Sequence, residues 1–410
     1  MAEVLRRGTK GLLRELNNSR VLQLIHARGP ISRAEIARLA ELPPPTVTAI
    51  VSDFLSVGLV QEADGAAATV GRPGIMLSLN PHAGYAAGVK LRHAGLTVAL
   101  TDLQGTIVRY IDRVLATDEA SAVLGQVAAE VKAVVADAGV AMSDVLGLGI
   151  GVPGLIDHLS GACRFSSHLG WRGVQVKRDL EGLLDLSVYV DNDVNTLTAA
   201  EIAHGAGREV RDFLTVTVGS GIGLGIVSRG EVYHGAFGGA GEFGHTKTEY
   251  QAVCDCGAIG CLEAVASEQG ITQRLSQLRG EPVTIDPALE LAQAGDTHAL
   301  SVFEEAGTVF GRCVGNLLNL FNPELVIVTG EGVRLGEVLL APMRRAIHAA
   351  AFDLLGQDTR IEIQQWGDEA WAQGAAGIVV HDMFKPRIYE SAATGPLARL
   401  LTRGRARANR

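Results

Sequence analysis

The apolar positions of the first eighty residues fall into three short helical periods. Val21, Leu22, Leu24 and Ile25 share a stretch that Asn18 and Ser19 are placed to cap and that Gly29-Pro30 ends. Ser32 and Glu35 form a capping-box pattern ahead of Ile36 and Leu39, the buried side of a second helix. After three consecutive prolines, Val47, Ile50, Val51, Phe54 and Leu55 recur at i, i+3, i+4, i+7 and i+8, which leaves Thr46, Thr48, Ala49 and Ser52 on a wet face. Two strand-like runs, GLVQE and IMLSLN, flank a polar loop containing GRPG.

Three helices, a tight turn between the last two, and a hairpin are the layout of a winged helix-turn-helix, whose third helix lies in the major groove. Arg72, at the loop tip, is placed to enter a minor groove. The candidate DNA contacts are Arg33, Pro45, Thr46, Thr48, Ala49, Ser52 and Arg72. The competing reading is a helical dimerisation or docking module, with Arg72 a solvated turn residue.

From Tyr85 the period changes. AAGVKLRHAGLTVALTDLQGTIV reads as strands joined by hairpins, residues 118–138 as a helix and VLGLGIGVPG as a buried strand. A similar order returns in LSVYVDNDVNTLTAAEIAHG, FLTVTVGSGIGLGIVSRGEVYHG and ELVIVTGEG, which suggests a duplicated α/β unit around a cleft. The expected division is 1–80 for the winged domain, 81–195 for a first lobe completed by 355–390, and 196–354 for a second lobe with a metal site and a dimerisation surface. Residues 391–410, GPLARLLTRGRARANR from Gly395 onward, carry five arginines after residue 398 and read as a basic, flexible tail.

The chain has 410 residues and a net charge of -9, which disfavours a protein coated in nucleic acid. The first eighty residues depart from that balance, with nine Lys/Arg against seven Asp/Glu. No run approaches the ~18 apolar residues of a membrane span, and the start lacks the apolar core of a secretion signal, so a cytoplasmic protein with no membrane partner is expected.

Three of the five cysteines, Cys254, Cys256 and Cys261, stand within eight positions. In a reducing compartment such clustering argues for metal ligation over disulfides. Three thiolates suit one structural Zn(II) per chain, and a closed site needs a fourth ligand. His245 is the nearest imidazole in a glycine-shaped loop; His204 and His234 compete, and buried free thiols are the bland alternative. Carboxylates and amides gather at the strand ends: Asn192 and Asp193 in VDNDVN, Glu242 in GGAGEFGH, Glu263 just after the last clustered cysteine. A sugar is a ring of hydroxyls, and short groups that accept and donate on rigid backbone are what bind it. Taken singly, each carboxylate is better explained as a turn or cap residue, and it is their shared context that favours a binding site.

GVPGLID, VDNDVN, TVGSGIGLGI, GGAGEFGH and CDCGAIGCLEAVAS together resemble the ROK family of bacterial sugar kinases and sugar-responsive repressors. The resemblance covers residues 10–385. It implies an α/β fold: an N-terminal winged helix-turn-helix, as in the family's repressors, followed by a two-lobed actin/hexokinase-like ROK domain. It further implies sugar contacts from Asn192, Asp193, Glu242, His245 and Glu263, and zinc on His245, Cys254, Cys256 and Cys261. In the kinases the counterpart of Asp193 is the base that takes the sugar's proton. Their first hairpin carries an Asp-x-Gly-Gly-Thr phosphate turn; here Lys90 replaces the Asp, and Arg92, His93 and Ala94 replace Gly-Gly-Thr. HLGW also departs from the usual Asn-Leu before Trp. The expectation is a sugar-responsive transcriptional regulator and not an enzyme, with operator DNA and a sugar or sugar derivative as partners, acting as a homodimer or dimer of dimers. An ATP-dependent sugar kinase with an added DNA-binding domain is the alternative, and a docking platform for a protein partner is a third.

Overall fold

The computed structural model describes residues 9–63, 75–385 and 395–408. The loop carrying Arg72 lies outside the described residues. At the N-terminus stand α1 (Lys10–Arg28), β1 (Ile31–Ser32), α2 (Arg33–Ala40), α3 (Pro44–Ser56), β2 (Val60–Ala63) and β3 (Met76–Leu79). Both β1 and β2 pair antiparallel with β3. The Ser32 side chain accepts the Glu35 N–H, as the capping box requires. Asn18 and Ser19 do not cap α1, which starts nine residues earlier than Ser19 on a Thr9 cap; Ser19 is buried inside the helix. The short apolar period marked only the packed half of a longer helix.

Val47, Ile50, Val51 and Phe54 are buried beneath α3, while Pro45, Thr48, Ala49 and Ser52 face solvent. Thr46, Leu55 and Arg33 are intermediate.

The first lobe is built on a five-stranded sheet in the order β11-β7-β4-β5-β6. Its elements are β4 (Tyr85–Arg92), β5 (Gly95–Asp102), β6 (Ile107–Val114), α4 (Ala120–Asp137), β7 (Val145–Val152), β8 (Leu155–Asp157), β9 (Ala162–Ser166), β10 (Trp171–Val174), α5 (Val176–Leu184) and β11 (Val188–Asn192). Helix α6 (Asp193–His204) leaves the end of β11 and runs between the lobes, touching both sheets.

The second lobe repeats the plan with a sheet in the order β14-β13-β12-β15-β16. Its strands are β12 (Phe213–Val218), β13 (Ile222–Ser228), β14 (Glu231–Val232), β15 (Leu325–Thr329) and β16 (Arg360–Ile363). Helices α7 (Glu263–Ala266), α8 (Glu268–Arg279), α9 (Ile285–Gln293), α10 (Thr297–Phe321), α11 (Glu337–Ala350) and α12 (Leu355–Asp358) complete it. Because β16 pairs with β15, the segment that returns to the first lobe begins at α13 (Asp368–Phe384), not at residue 355. Gly149 makes that return possible: a methyl group there would run into the Ala375 carbonyl, so only a glycine lets α13 lie this close to β7.

The basic tail is also not what its composition suggests. Residues 396–408 form α14 (Pro396–Ala408), with Leu400 buried and Leu397 and Leu401 packed on the apolar cluster beneath α3. Arg403 donates to the carbonyls of Ala83 and Ser143 at 2.5 and 2.7 Å. That cluster joins Val21, Leu22 and Phe54 of the winged module to Leu146 of β7 and Met383 and Phe384 of α13, so module and first lobe share one core. His26 of α1 stacks on Phe384 with ring centroids 4.3 Å apart.

Candidate functional site

A cavity of about 760 Å³ opens between the lobes. Asn192, Asp193, Glu242, His245 and Glu263 all line it; Asn192 and Asp193 stand at the carboxyl end of β11, where ligands of α/β sheets sit, while Glu242 and His245 come from the loop after β14 and Glu263 from the start of α7.

Each of these side chains is held differently. Asn192 ends β11 and caps α6: its Oδ1 accepts the Val194 N–H at 2.9 Å, and its Nδ2 donates to the Gly154 carbonyl at 3.1 Å. The amide is thus engaged on both atoms in this state. Asp193 opens α6 behind it. Burial pushes its carboxyl above the usual range, against the pull of Lys90 and His168. Glu263 is buried at the start of α7, and its Oε2 accepts the Ile222 N–H at 3.0 Å. Glu242 follows Gly241, whose φ of +95° is a conformation that favours glycine. Enclosure in the cleft raises the Glu242 pKa; His245 opposes the shift, and Asp193 and Glu263 add to it.

Beside this wall lies the cysteine loop. The ligand atoms of His245, Cys254, Cys256 and Cys261 lie within 4.8 Å of one another, and no disulfide joins the thiols. Cys254 Sγ stands 3.8 Å from His245 Nδ1, and Cys256 Sγ 3.8 Å from Cys261 Sγ. Three sulfurs and one imidazole nitrogen at this spacing fit a tetrahedral ion, so the residues present can hold a metal. The other ring nitrogen, Nε2, points the opposite way, 3.9 Å from Glu242 Oε2. The ligand set and the cleft wall therefore meet in one histidine. The two competitors lie elsewhere: His234 Nε2 contacts Asp191 at 2.7 Å, and His204 sits against Gly105.

The far end of the cavity holds residues whose partners were not visible in the sequence. Lys90 is buried at the end of β4, its Nζ 2.6 Å from Asp368 Oδ1, 3.9 Å from Glu331 and 3.9 Å from the Trp371 ring centroid. Arg92 pairs with Asp368 at 2.7 Å and with Asp112. The His93 ring contacts the His168 carbonyl at 2.8 Å.

Three kinds of likeness accompany this geometry. Residues 87–382 match the ROK family. The xylose repressor of Caldicellulosiruptor bescii is 30% identical over 392 residues, 92% of this chain and 98% of that protein. The DNA-binding transcriptional dual regulator NagC of Escherichia coli K12 is 30% identical over 359 residues, 84% of this chain and 87% of that protein. The crystal structure of a ROK family transcriptional regulator, a homologue of the E. coli MLC protein, superposes with a TM-score of 0.81 at 26% identity, covering 95% of this chain and all of that one. Among the described residues no helix is long and apolar enough to cross a membrane. Matched through its winged module as well as both lobes, the chain belongs to the ROK family, on its repressor branch.

Proposed function

We propose that this repressor reads operator DNA with the exposed face of α3 and takes a sugar or sugar derivative in the cleft between its lobes. The observation that carries the reading is the convergence on one cavity of Asn192, Asp193, Glu242, His245 and Glu263, next to four residues that could hold a metal. Those five side chains offer carboxylate acceptors, an amide and an imidazole, the set that a polyhydroxylated ring needs. Thr48, Ala49 and Ser52, small and exposed on α3, suit close approach to base edges, with Pro45, Thr46 and Arg33 toward the backbone. Arg72, outside the described residues, is proposed as a minor-groove contact on its sequence alone.

One zinc ion per chain, on His245 and the three cysteines, is the cofactor this reading implies. It would supply folding free energy and a rigid loop; the chain's own Glu242 and Glu263 would meet the sugar.

The cavity lies between the two sheets, and the winged module shares its core with the first lobe and α13. A sugar that draws the lobes together would therefore tilt the reader. In a homodimer, or dimer of dimers, that tilt changes the spacing of two α3 helices against half-sites about one helical turn apart or a multiple of it. Thermal shift across a panel of pentoses, hexoses and amino sugars tests the sugar arm, since a bound ligand raises apparent stability with concentration. No response from any sugar would sink it.

Turnover is the second reading, supported by one observation: Asp193, which the resemblance makes the counterpart of the kinases' base, lines the cleft. A coupled ATP assay on the same sugar panel distinguishes the two, and activity above background would establish the kinase.

A further inference from the structure

We infer that His158 and His234 form an acid-sensitive latch between the lobes: it holds the loop that carries Glu242 against the first lobe while the His158 ring is neutral, and releases it when that ring takes up a proton. The latch itself does not depend on the sugar reading above; its effect on ligand affinity does.

The loop after β14 leaves the second lobe and lies on the first. Gly238 sits so close to β8 that a methyl group there would run into the Ile156 carbonyl, and Gly239 faces the Leu155 side chain. Arg164 of β9 donates from Nη1 to the Phe237 carbonyl at 3.4 Å. The same loop supplies Gly238, Ala240, Gly241 and Glu242 to the cavity wall. Whatever loosens its seat on β8 therefore moves Glu242.

At the head of this loop His234 meets His158 face to face, with ring centroids 4.1 Å apart and planes 18° from parallel. The two rings are not equally provided for. His234 Nε2 has the Asp191 carboxylate at 2.7 Å, an acceptor that suits the ring whether or not it is charged. His158 Nδ1 is buried and, among the described residues, has no hydrogen-bond partner. A neutral ring can leave that nitrogen as a bare lone pair. An imidazolium carries a hydrogen on both nitrogens, so a protonated His158 would bury an N–H without an acceptor and set a charge against the second ring.

The titratable groups that face His158 are His234, Asp191 and Asp157. Burial holds its pKa below the usual histidine value and His234 adds to that, while the two carboxylates pull the other way without overcoming it. Asp157 is turned to the N–H groups of Leu159 and Ser160, at 3.2 and 3.4 Å. The released latch thus binds the proton more readily than the docked one. Docking is undisturbed above the usual histidine value of about 6.5 and weakens as pH falls from there through the docked value.

The experiment titrates the metal-loaded full chain, isotope-labelled at histidine, from slightly alkaline to mildly acidic pH without sugar. Ring signals are followed by NMR, and amide exchange of residues 233–241, corrected for its intrinsic pH dependence, is measured over the same range. His158→Gln assigns the His158 signal, and His158→Phe keeps a stacked ring while removing the proton site. The expected result is a His158 ring that titrates below an ordinary histidine, loop exchange that rises roughly threefold or more in step with it, and no such rise in His158→Phe. A ring that titrates at or above the ordinary value, loop exchange that stays level in wild type, or an acid step that survives in His158→Phe overturns the inference. For a sugar that shifts Tm, wild-type affinity should fall on acidification by roughly threefold more than the variant's; equal falls would overturn that effect. If no sugar binds at either pH, the sugar reading fails and the sugar-free titration still decides the latch. His158→Gln serves in place of His158→Phe should the latter fail to fold.

Discussion

His234 Nε2 lies 2.7 Å from Asp191 Oδ2, tying the loop that leaves β14 in the second lobe to the last strand of the first. Asp191 is itself oriented by the Asn195 side-chain amide at 2.9 Å, and the His158 ring stacks on His234 with centroids 4.1 Å apart. The tie holds together the two stretches that carry Asn192 and Glu242. A hydrogen bond of this kind contributes about 1 kcal/mol net, so His234→Ala should weaken sugar binding by roughly five- to tenfold. His234→Gln, which keeps a donor, should restore part of it. Calorimetric affinities for the three proteins check this, and equal values would show that the tie does not shape the site.

Metal removal should unfold the cleft wall before the rest. Among the described residues, the thiols at positions 254, 256 and 261 converge with His245 on one point. Binding a structural ion to such a set is folding free energy. Cys261→Ser, or prolonged chelation, should lower Tm on the order of 10 °C and abolish sugar binding. Metal analysis and calorimetry would read both, and unchanged Tm after complete metal loss would refute the structural role.

Asp193 should cost the empty protein stability at neutral pH. Its folded-state pKa is raised by burial. The folded chain therefore holds this proton more tightly than the unfolded chain does. The group's favourable contribution is complete below the unfolded value of about 4 and is lost as pH rises through the folded value. Asp193→Asn should thus raise Tm at pH 7 to 8, by an amount that shrinks toward pH 4. Paired melts across that range, without sugar, give the answer; a gain that grows on acidification would contradict the sign.

The reader and the sensor should be separable by mutation. Thr48 and Ser52 are exposed on α3, away from the cavity. Introducing carboxylates with Thr48→Glu or Ser52→Glu should weaken DNA binding at least tenfold by repulsion from phosphates, with sugar affinity unchanged. Arg33→Ala should reduce the salt slope of DNA binding by about one if Arg33 contacts a phosphate. Anisotropy with a selected duplex at several salt concentrations measures all three.

Helix α14 should carry part of the coupling. Gly404 packs against Val57 at the end of α3, while Arg403 reaches Ala83 and Ser143 of the first lobe. Arg403→Ala should therefore narrow the difference in DNA affinity between sugar-free and sugar-bound protein. Intact coupling in that variant would leave α14 a passive support.

What could be read from the sequence was short-range or strictly periodic. The i, i+3, i+4, i+7 run through Phe54 placed α3, Ser32 and Glu35 placed the start of α2, and the cysteine spacing located the four residues that could hold a metal. What could not be read depends on topology. Lys90 and Asp368 are 278 positions apart and meet only because α13 returns to the first sheet. Asp191 and His234 meet across the lobes for a similar reason. The tail misled by composition: Leu397, Leu400, Leu401 and Gly404 already stood at i, i+3, i+4 and i+7, but five arginines argued for a solvated end. Charge content outweighed a period that packing then honoured.

The most direct test of a sugar-controlled DNA reader is the equilibrium Kd for a duplex selected in vitro against this protein, measured with no sugar and with the sugar that shifts Tm at saturation. The account predicts a change of at least fivefold, matched by an equal and reciprocal change in sugar affinity when the duplex is present. Identical DNA affinities with and without bound sugar would contradict it.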